Sequence, residues 1–436
     1  MQRREFVSTV AALSMTSAIP IPAGLRAQED PRVDSARLNR HLTELSAFGA
    51  TPEGTMRVAY SDADIAGRGY ALDLMRDAGL SPRVDAAGNI LGRLAGTEPG
   101  LPAILIGSHI DSVTNGGNYD GDVGSMAAIE VARTLRDRNL RTRHPLEVVI
   151  FQNEEGGTVG SKLMSGELGE EEFDRVMRSG ISVRDGIPRL GGDLSRLAEA
   201  RRNRGDLRCF LELHIEQGGT LDATGIDIGV VEGIVGLRWF EVTFTGFANH
   251  AGTTPMDQRQ DAMLAAAHFT VGVNEAIRSE PGRQVATVGR VVVTPGTTNI
   301  VPGAVLLTID LRDLSVDTLA RFTRRFEELG QRIAGETGTT FAMKATSTNE
   351  PALTDPRLQQ QIARAAEGLG LTHRTMPSGA GHDAQEIARI APMGMIFVPS
   401  VGGVSHSPKE LTHPEDVANG ANVLLRTVLS VDRQGL

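Results

Sequence analysis

Apolar and polar positions along the chain alternate with two different periods, and the switches between them predict the elements. From Ser35 to Gly79 the spacing is mostly helical: Leu38, Leu42 and Leu45 share a face, and Ala71, Leu72, Leu74 and Met75 precede Gly79 as a stop. Short apolar runs follow at Ile90–Leu94, Ala103–His109, Leu146–Phe151 and Leu211–His214, with an amphipathic helix predicted over Met126–Leu135. Buried strands alternating with helices predict an α/β fold: a mixed, mostly parallel sheet with helices on both faces. Beyond about Gly233 the period becomes two. Leu237–Phe244 reads as a strand with one wet face, followed by a helix (Asp261–Arg278), strands (Gln284–Val293, Val305–Leu311), a helix (Thr318–Gly335) and a strand (Thr340–Ala345). That β-α-β-β-α-β order predicts an α+β sandwich at 234–347, inserted between two parts of one catalytic domain, 31–233 and 348–436. Met393–Pro399 and Asp416–Val428 read as a last core strand and a closing helix.

Charge and cysteine content narrow the chemistry. The net charge of −10 gives nucleic acid no electrostatic footprint, and 4% aromatic residues offer little to stack bases on. The single cysteine, Cys209, excludes an internal disulfide and a thiolate metal site. It sits in a strand-like run and reads as a core thiol. The first residues pair Arg3 with Arg4, then Phe6, a modest apolar stretch and a small-residue exit at Ala27. This predicts a twin-arginine signal over 1–27, passage through the matching export machinery, and a periplasmic or secreted product. A disordered tail or an uncleaved anchor is the alternative.

Polar clusters stand at or near the ends of the predicted strands, where open α/β sheets build their sites. His109 with Asp111 two residues on can place a ring on a metal and buttress it. Asp120 lies in a glycine-rich loop, from which a carboxylate can approach two cations. Glu154 and Glu155 are adjacent at a strand exit; one can bind metal while the other acts as general base. His214 and the distant His406 complete a set of histidines and carboxylates without cysteine. That set suits two divalent ions, with Zn²⁺ favoured and Mn²⁺, Co²⁺ and Ni²⁺ also compatible. Singly, each of these residues reads more readily as structural or solvated; the set together carries the metal reading. His144, His268, His373 and His413 read as structural or surface residues.

The strings Gly107–Val113, Asn115–Gly121, Asn153–Gly156, Glu212–Gly218, His250–Met256, Asn299–Gly303, Ser378–Ala384 and Ser405–Glu410 resemble the amidase/hydantoinase/carbamoylase branch of the co-catalytic zinc metallopeptidases. Its members hydrolyse N-carbamoyl-L-amino acids, allantoate and other ureido acids. The resemblance implies one ion on His109, His214 and Asp120 and another on Glu155, His406 and Asp120, with Asp120 bridging. It implies Glu154 as general base and His250, from a lid and dimerisation domain, as oxyanion donor across a homodimer. It implies Arg312 and Asn299 as the substrate-carboxylate grip and Gln217 as a ureido contact. Gly379, Gly381 and His382 would line the rest of the pocket. Arg312 could instead pair with Asp310 or Asp313. A dipeptidase or aminoacylase using the same metals, or a non-catalytic binding protein on this scaffold, are the competing readings.

Overall fold

The computed structural model describes residues 30–436, so the expected export signal lies outside the described residues. A nine-stranded sheet begins with β1 (Ser81–Val84), β2 (Ile90–Leu94), β3 (Ala103–His109), β4 (Leu146–Phe151), β5 (Leu207–Ile215) and β6 (Ile228–Ile234). The chain then leaves to build a four-stranded sheet from β7 (Gly236–Thr245), β8 (Val285–Thr294), β9 (Ala304–Asp313) and β10 (Thr340–Asn349). It returns as β11 (Ala352–Leu353), β12 (His373–Ser378) and β13 (Met393–Val398).

The order across the large sheet is β11-β6-β13-β5-β3-β4-β2-β1, with β12 beside β6. The sheet is mixed. β13, β5, β3 and β4 run parallel at its centre, and β12 runs parallel to β6. The pairs β4–β2, β2–β1, β6–β13 and β6–β11 are antiparallel. The central strands are mostly apolar because both faces are covered, with buried polar residues such as Glu147, Ser108 and Glu212 as exceptions. Ile104 and Ile106 pack on one side with helices Ser35–Ser46, Asp122–Asp137 and Pro414–Gln434, whereas Leu105 packs on the other with Phe210, Met164 and Ile387. Each such fully buried side chain contributes roughly 1.5–3 kcal/mol. Parallel neighbours also bring their carboxyl ends to one edge. There β3 ends in His109, β4 runs into Glu154, β5 carries His214 and β13 leads to His406.

The four-stranded sheet, ordered β8-β9-β7-β10, is antiparallel throughout. Its alternation places Phe240, Val242 and Phe244 under helices Ala262–Arg278 and Val316–Thr337, and leaves Trp239 exposed on the other face. Asp261 and Ser315 cap those helices through backbone N–H groups. Two details depart from the sequence reading. The stretch from Ser35 to Gly79 is two helices, Ser35–Ser46 and Asp62–Asp77, separated by a two-stranded turn. The helix expected from Met126 begins at Asp122, because Gly121 and Gly124 mask its first turn by composition.

Candidate metal centre

Each candidate ligand is aimed by its backbone. His109 Nδ1 hydrogen-bonds the Asp111 carbonyl at 3.0 Å, and the Ser125 hydroxyl donates to the His109 carbonyl at 2.7 Å. His214 Nδ1 likewise meets the Ile215 carbonyl at 2.9 Å. With Nδ1 carrying the proton to a carbonyl, Nε2 of each ring is left as the base that faces the cluster. The Asp111 carboxylate accepts from the backbone N–H groups of Glu154 and Glu155, each at 3.1 Å, and so ties the β3 exit to the β4 exit. Gly121 has φ of 66°, and a Cβ there would lie 2.4 Å from the His109 ring. Only glycine lets the Asp120 loop approach this closely.

Asp120 is the hub. Its Oδ1 lies 3.1 Å from His214 Nε2 and 3.6 Å from His109 Nε2, while its Oδ2 lies 3.1 Å from His406 Nε2. His406 Nε2 is in turn 3.6 Å from Glu155 Oε1. Two triads result, His109–Asp120–His214 and Asp120–Glu155–His406, each with donor atoms within 4.8 Å of one another. Glu154 stands beside them and outside both triads, its Oε2 3.8 Å from His109 Nε2.

The electrostatics follow from packing acids and imidazoles together out of water. Burial pushes the Glu154 carboxyl well above its usual range despite the attraction of His109, with Asp383 and Glu155 adding to the rise. Burial, reinforced by Asp120, pushes Glu155 up to about 8. Burial also opposes ionisation of Asp120, but the facing imidazoles of His109, His214 and His406 outweigh it and hold that carboxyl well below the usual range. The hydrogen bond to Asp120 raises His406 to about 9. Burial is also the largest influence on His109, yet Glu154, Asp120 and Asp111 raise its pKa well above normal. Histidine nitrogens and carboxylate oxygens at this spacing, without sulfur, fit a pair of borderline-hard divalent cations.

The remaining candidates divide into those at this edge and those away from it. Gln217, at φ 56°, donates from Nε2 to Asp120 Oδ2 at 2.7 Å. It lines a cavity of about 490 Å³ together with Arg312, Gly379 and Arg374. Arg312 does pair with Asp310, through Nε and Nη2, and its Nη1 donates to the Gly379 carbonyl at 2.6 Å. Gly379 therefore contributes a carbonyl; a Cβ there would meet open space, and at Gly381 it would meet only Gln385, at 3.6 Å. His382 is buried beside the proposed ligand His214. It is 2% exposed, packs edge-on against His214 at 4.5 Å between ring centres, and hydrogen-bonds Ser378. Burial, with His214 next to it, holds its pKa well below normal. Asn299 and His250 sit together: the Ala251 amide donates to the Asn299 carbonyl, and His250 pairs with Ile300. The His250 ring accepts from Gly252 and Thr253 of its own turn, and no described hydrogen bond joins it to either triad.

Three supports were not legible beforehand. Buried Arg57 pairs with Asp122 and donates to the carbonyls of Leu45, Phe48 and Ile110. Glu212 accepts from Ser108 behind the ligand strands. Glu410 joins the Asp120 loop to the His406 loop. Each joins segments far apart in sequence: Arg57 with Asp122, Ser108 with Glu212, and the Asp120 loop with Glu410. Glu410 and Glu212 left a trace only as members of the Ser405–Glu410 and Glu212–Gly218 strings, whereas Arg57 left none.

Residues 105–430 match the peptidase family M20/M25/M40. The chain is 39% identical over 408 residues to the N-carbamoyl-L-amino-acid amidohydrolase of Paenarthrobacter aurescens, covering 92% of this chain and 99% of that one. It is 38% identical over 393 residues to the allantoate amidohydrolase of Escherichia coli (strain K12), covering 88% and 94%. The crystal structure of an amidase of the hydantoinase/carbamoylase family from Burkholderia multivorans superposes with a TM-score of 0.85 at 38% identity, covering 92% and 98%. A single match along most of the chain, relatives of this identity and the shared mixed α/β architecture place the chain in the peptidase family M20/M25/M40, within its amidase/hydantoinase/carbamoylase group.

Proposed function

We propose that the protein is a two-metal amidohydrolase that cleaves the carbamoyl C–N bond of an N-carbamoyl-L-amino acid or a related ureido acid, such as allantoate, ureidoglycolate or β-ureidopropionate. The observation that carries this reading is the pair of triads sharing Asp120, with Glu154 beside them and in neither. His109 and His214 would hold one ion, Glu155 and His406 the other, and Asp120 both. When bound there, divalent cations supply Lewis acidity, polarising a carbonyl and acidifying water. Glu154, beside both triads and in neither, takes the proton of the attacking water and passes it to the departing nitrogen. Three of the five Arg312 N–H groups are engaged by Asp310 and Gly379, which leaves two for a substrate carboxylate. Gln217 orients the ureido group beside Asp120, Asn299 adds to the carboxylate grip, and His250 of a second copy in a homodimer donates to the oxyanion.

The test is a panel of N-carbamoyl-L-amino acids, allantoate, ureidoglycolate, N-acetyl amino acids and dipeptides, with the metal-loaded protein and both products identified by mass spectrometry. Release of the free amine with ammonia and carbon dioxide from the carbamoyl compounds is expected. Cleavage of dipeptides or N-acetyl compounds alone would overturn the reading in favour of a peptidase or aminoacylase. We also propose export through the twin-arginine route. Substituting Arg3 and Arg4 together by lysine should retain the precursor inside the cell; unchanged secretion of the variant would exclude that route.

A further inference from the structure

Glu410 lies about 290 residues from Asp120 in sequence, yet its carboxylate touches the backbone on both sides of the metal cluster. Oε1 accepts from the backbone N–H groups of Tyr119, at 2.9 Å, and Asp120, at 3.1 Å. Oε2 accepts from the Ser405 hydroxyl at 2.9 Å and from the His406 backbone N–H at 3.3 Å. The two oxygens are thus divided between the loop after β3 and the loop after β13, and those loops carry the ligands Asp120 and His406. The side chain is buried, 6% exposed, and has no role as a ligand in either triad.

Two further observations show that the loops are built around this carboxylate. A Cβ on Gly117 would lie 2.2 Å from Glu410 Oε1, so the Asn115–Gly121 loop closes over it only because that residue is glycine. His406 has φ of 53°, a left-handed conformation that is strained for a non-glycine residue. The Glu410–His406 hydrogen bond helps to hold that conformation, which swings the imidazole toward Asp120 Oδ2.

We propose that Glu410 is a positioning residue that sets the separation of Asp120 and His406, and thereby the affinity of the Asp120–Glu155–His406 site for its ion. This rests on reading the two triads as metal sites, but not on any choice of substrate. An amide in place of the carboxylate keeps the size but turns one acceptor into a donor. That donor would confront a backbone N–H on one of the two loops. Placing a methyl on Gly117 would instead displace the intact carboxylate.

The experiment titrates Co²⁺ into chelator-stripped wild-type, Glu410→Gln and Gly117→Ala proteins, following visible absorption and chelator competition, with urea unfolding of each metal-free form. Wild type should bind two Co²⁺ per chain. Both variants should bind one of the two about 10–100-fold more weakly, the usual effect of removing a ligand's support. Their metal-free forms should keep cooperative unfolding, and their Co²⁺ spectra should change in shape as the geometry loosens. Wild-type affinity for both ions in either folded variant would overturn the proposal, as would a loss confined to unfolding stability. If Glu410→Gln does not fold, Gly117→Ala decides alone. No Co²⁺ binding by wild type would overturn the proposal together with the metal reading. Failure on every ureido substrate with normal Co²⁺ binding would overturn only the proposed reaction.

Discussion

Glu154 and Glu155 are chemically identical neighbours with different surroundings. Glu155 faces His406, whereas Glu154 sits outside both triads and beside His109. Glu154→Gln should therefore keep about two ions per chain by elemental analysis while turnover falls roughly 10²–10⁴-fold, the usual worth of a general base. An active Glu154→Gln enzyme would remove it from that role. The same residues predict how metal uptake depends on pH. In the metal-free protein Glu155 titrates near 8 and His406 near 9, both above their ordinary values. Each therefore keeps its proton at neutral pH and gives it up only as pH rises through that window. Metal must displace those protons, so apparent affinity should rise from pH 7 to 9 with proton release. Calorimetry in two buffers of different ionisation heat measures this, and equal heats in both would contradict it. Among single residues the sequence marked histidine and carboxylate donors by their chemistry alone. It could not show that His382 packs behind His214, because spacing along a chain says nothing about which side of a ring a distant loop will cover.

At the scale of elements, the ends of β3, β4, β5 and β13 converge because those strands are parallel neighbours. The apolar runs of β3 and β4 and the core of β13 were readable directly, since burial on both faces leaves no polar alternation. β12 was not: His373–Ser378 mixes histidine, arginine and proline, and it is a strand only because β6 offers it an edge. What keeps the β3 exit in place is buried Arg57, which reaches from before the helix Asp62–Asp77 to Ile110 and Asp122. Arg57→Ala strands the Asp122 carboxylate away from water and leaves three carbonyls without their donor. It should cost about 3–5 kcal/mol in urea unfolding, the range for breaking a buried ion pair. A loss below 1 kcal/mol would show that the pair is incidental.

Across the whole molecule, the four-stranded sheet has its own core of Phe240, Phe244, Phe269, Phe322 and Phe326, separate from the clusters on either face of the large sheet. All five proposed metal ligands belong to the large-sheet part. Calorimetry should then resolve two transitions, of which chelation lowers only one; at ion concentrations a thousand times Kd that shift corresponds to about 4 kcal/mol per ion. A single transition, or equal sensitivity of both, would show that the two cores melt as one. The sequence by itself determined most of the element types, the α/β class and the inventory of histidine and carboxylate donors, because hydrophobic period and side-chain chemistry are local properties. Only the tertiary structure decided that Asp120 lies between two triads, that Arg312 divides its donors between Asp310 and Gly379, and that Glu410 joins loops from opposite ends of the chain. Those facts depend on which strands become neighbours, and strand pairing is settled by packing over hundreds of residues.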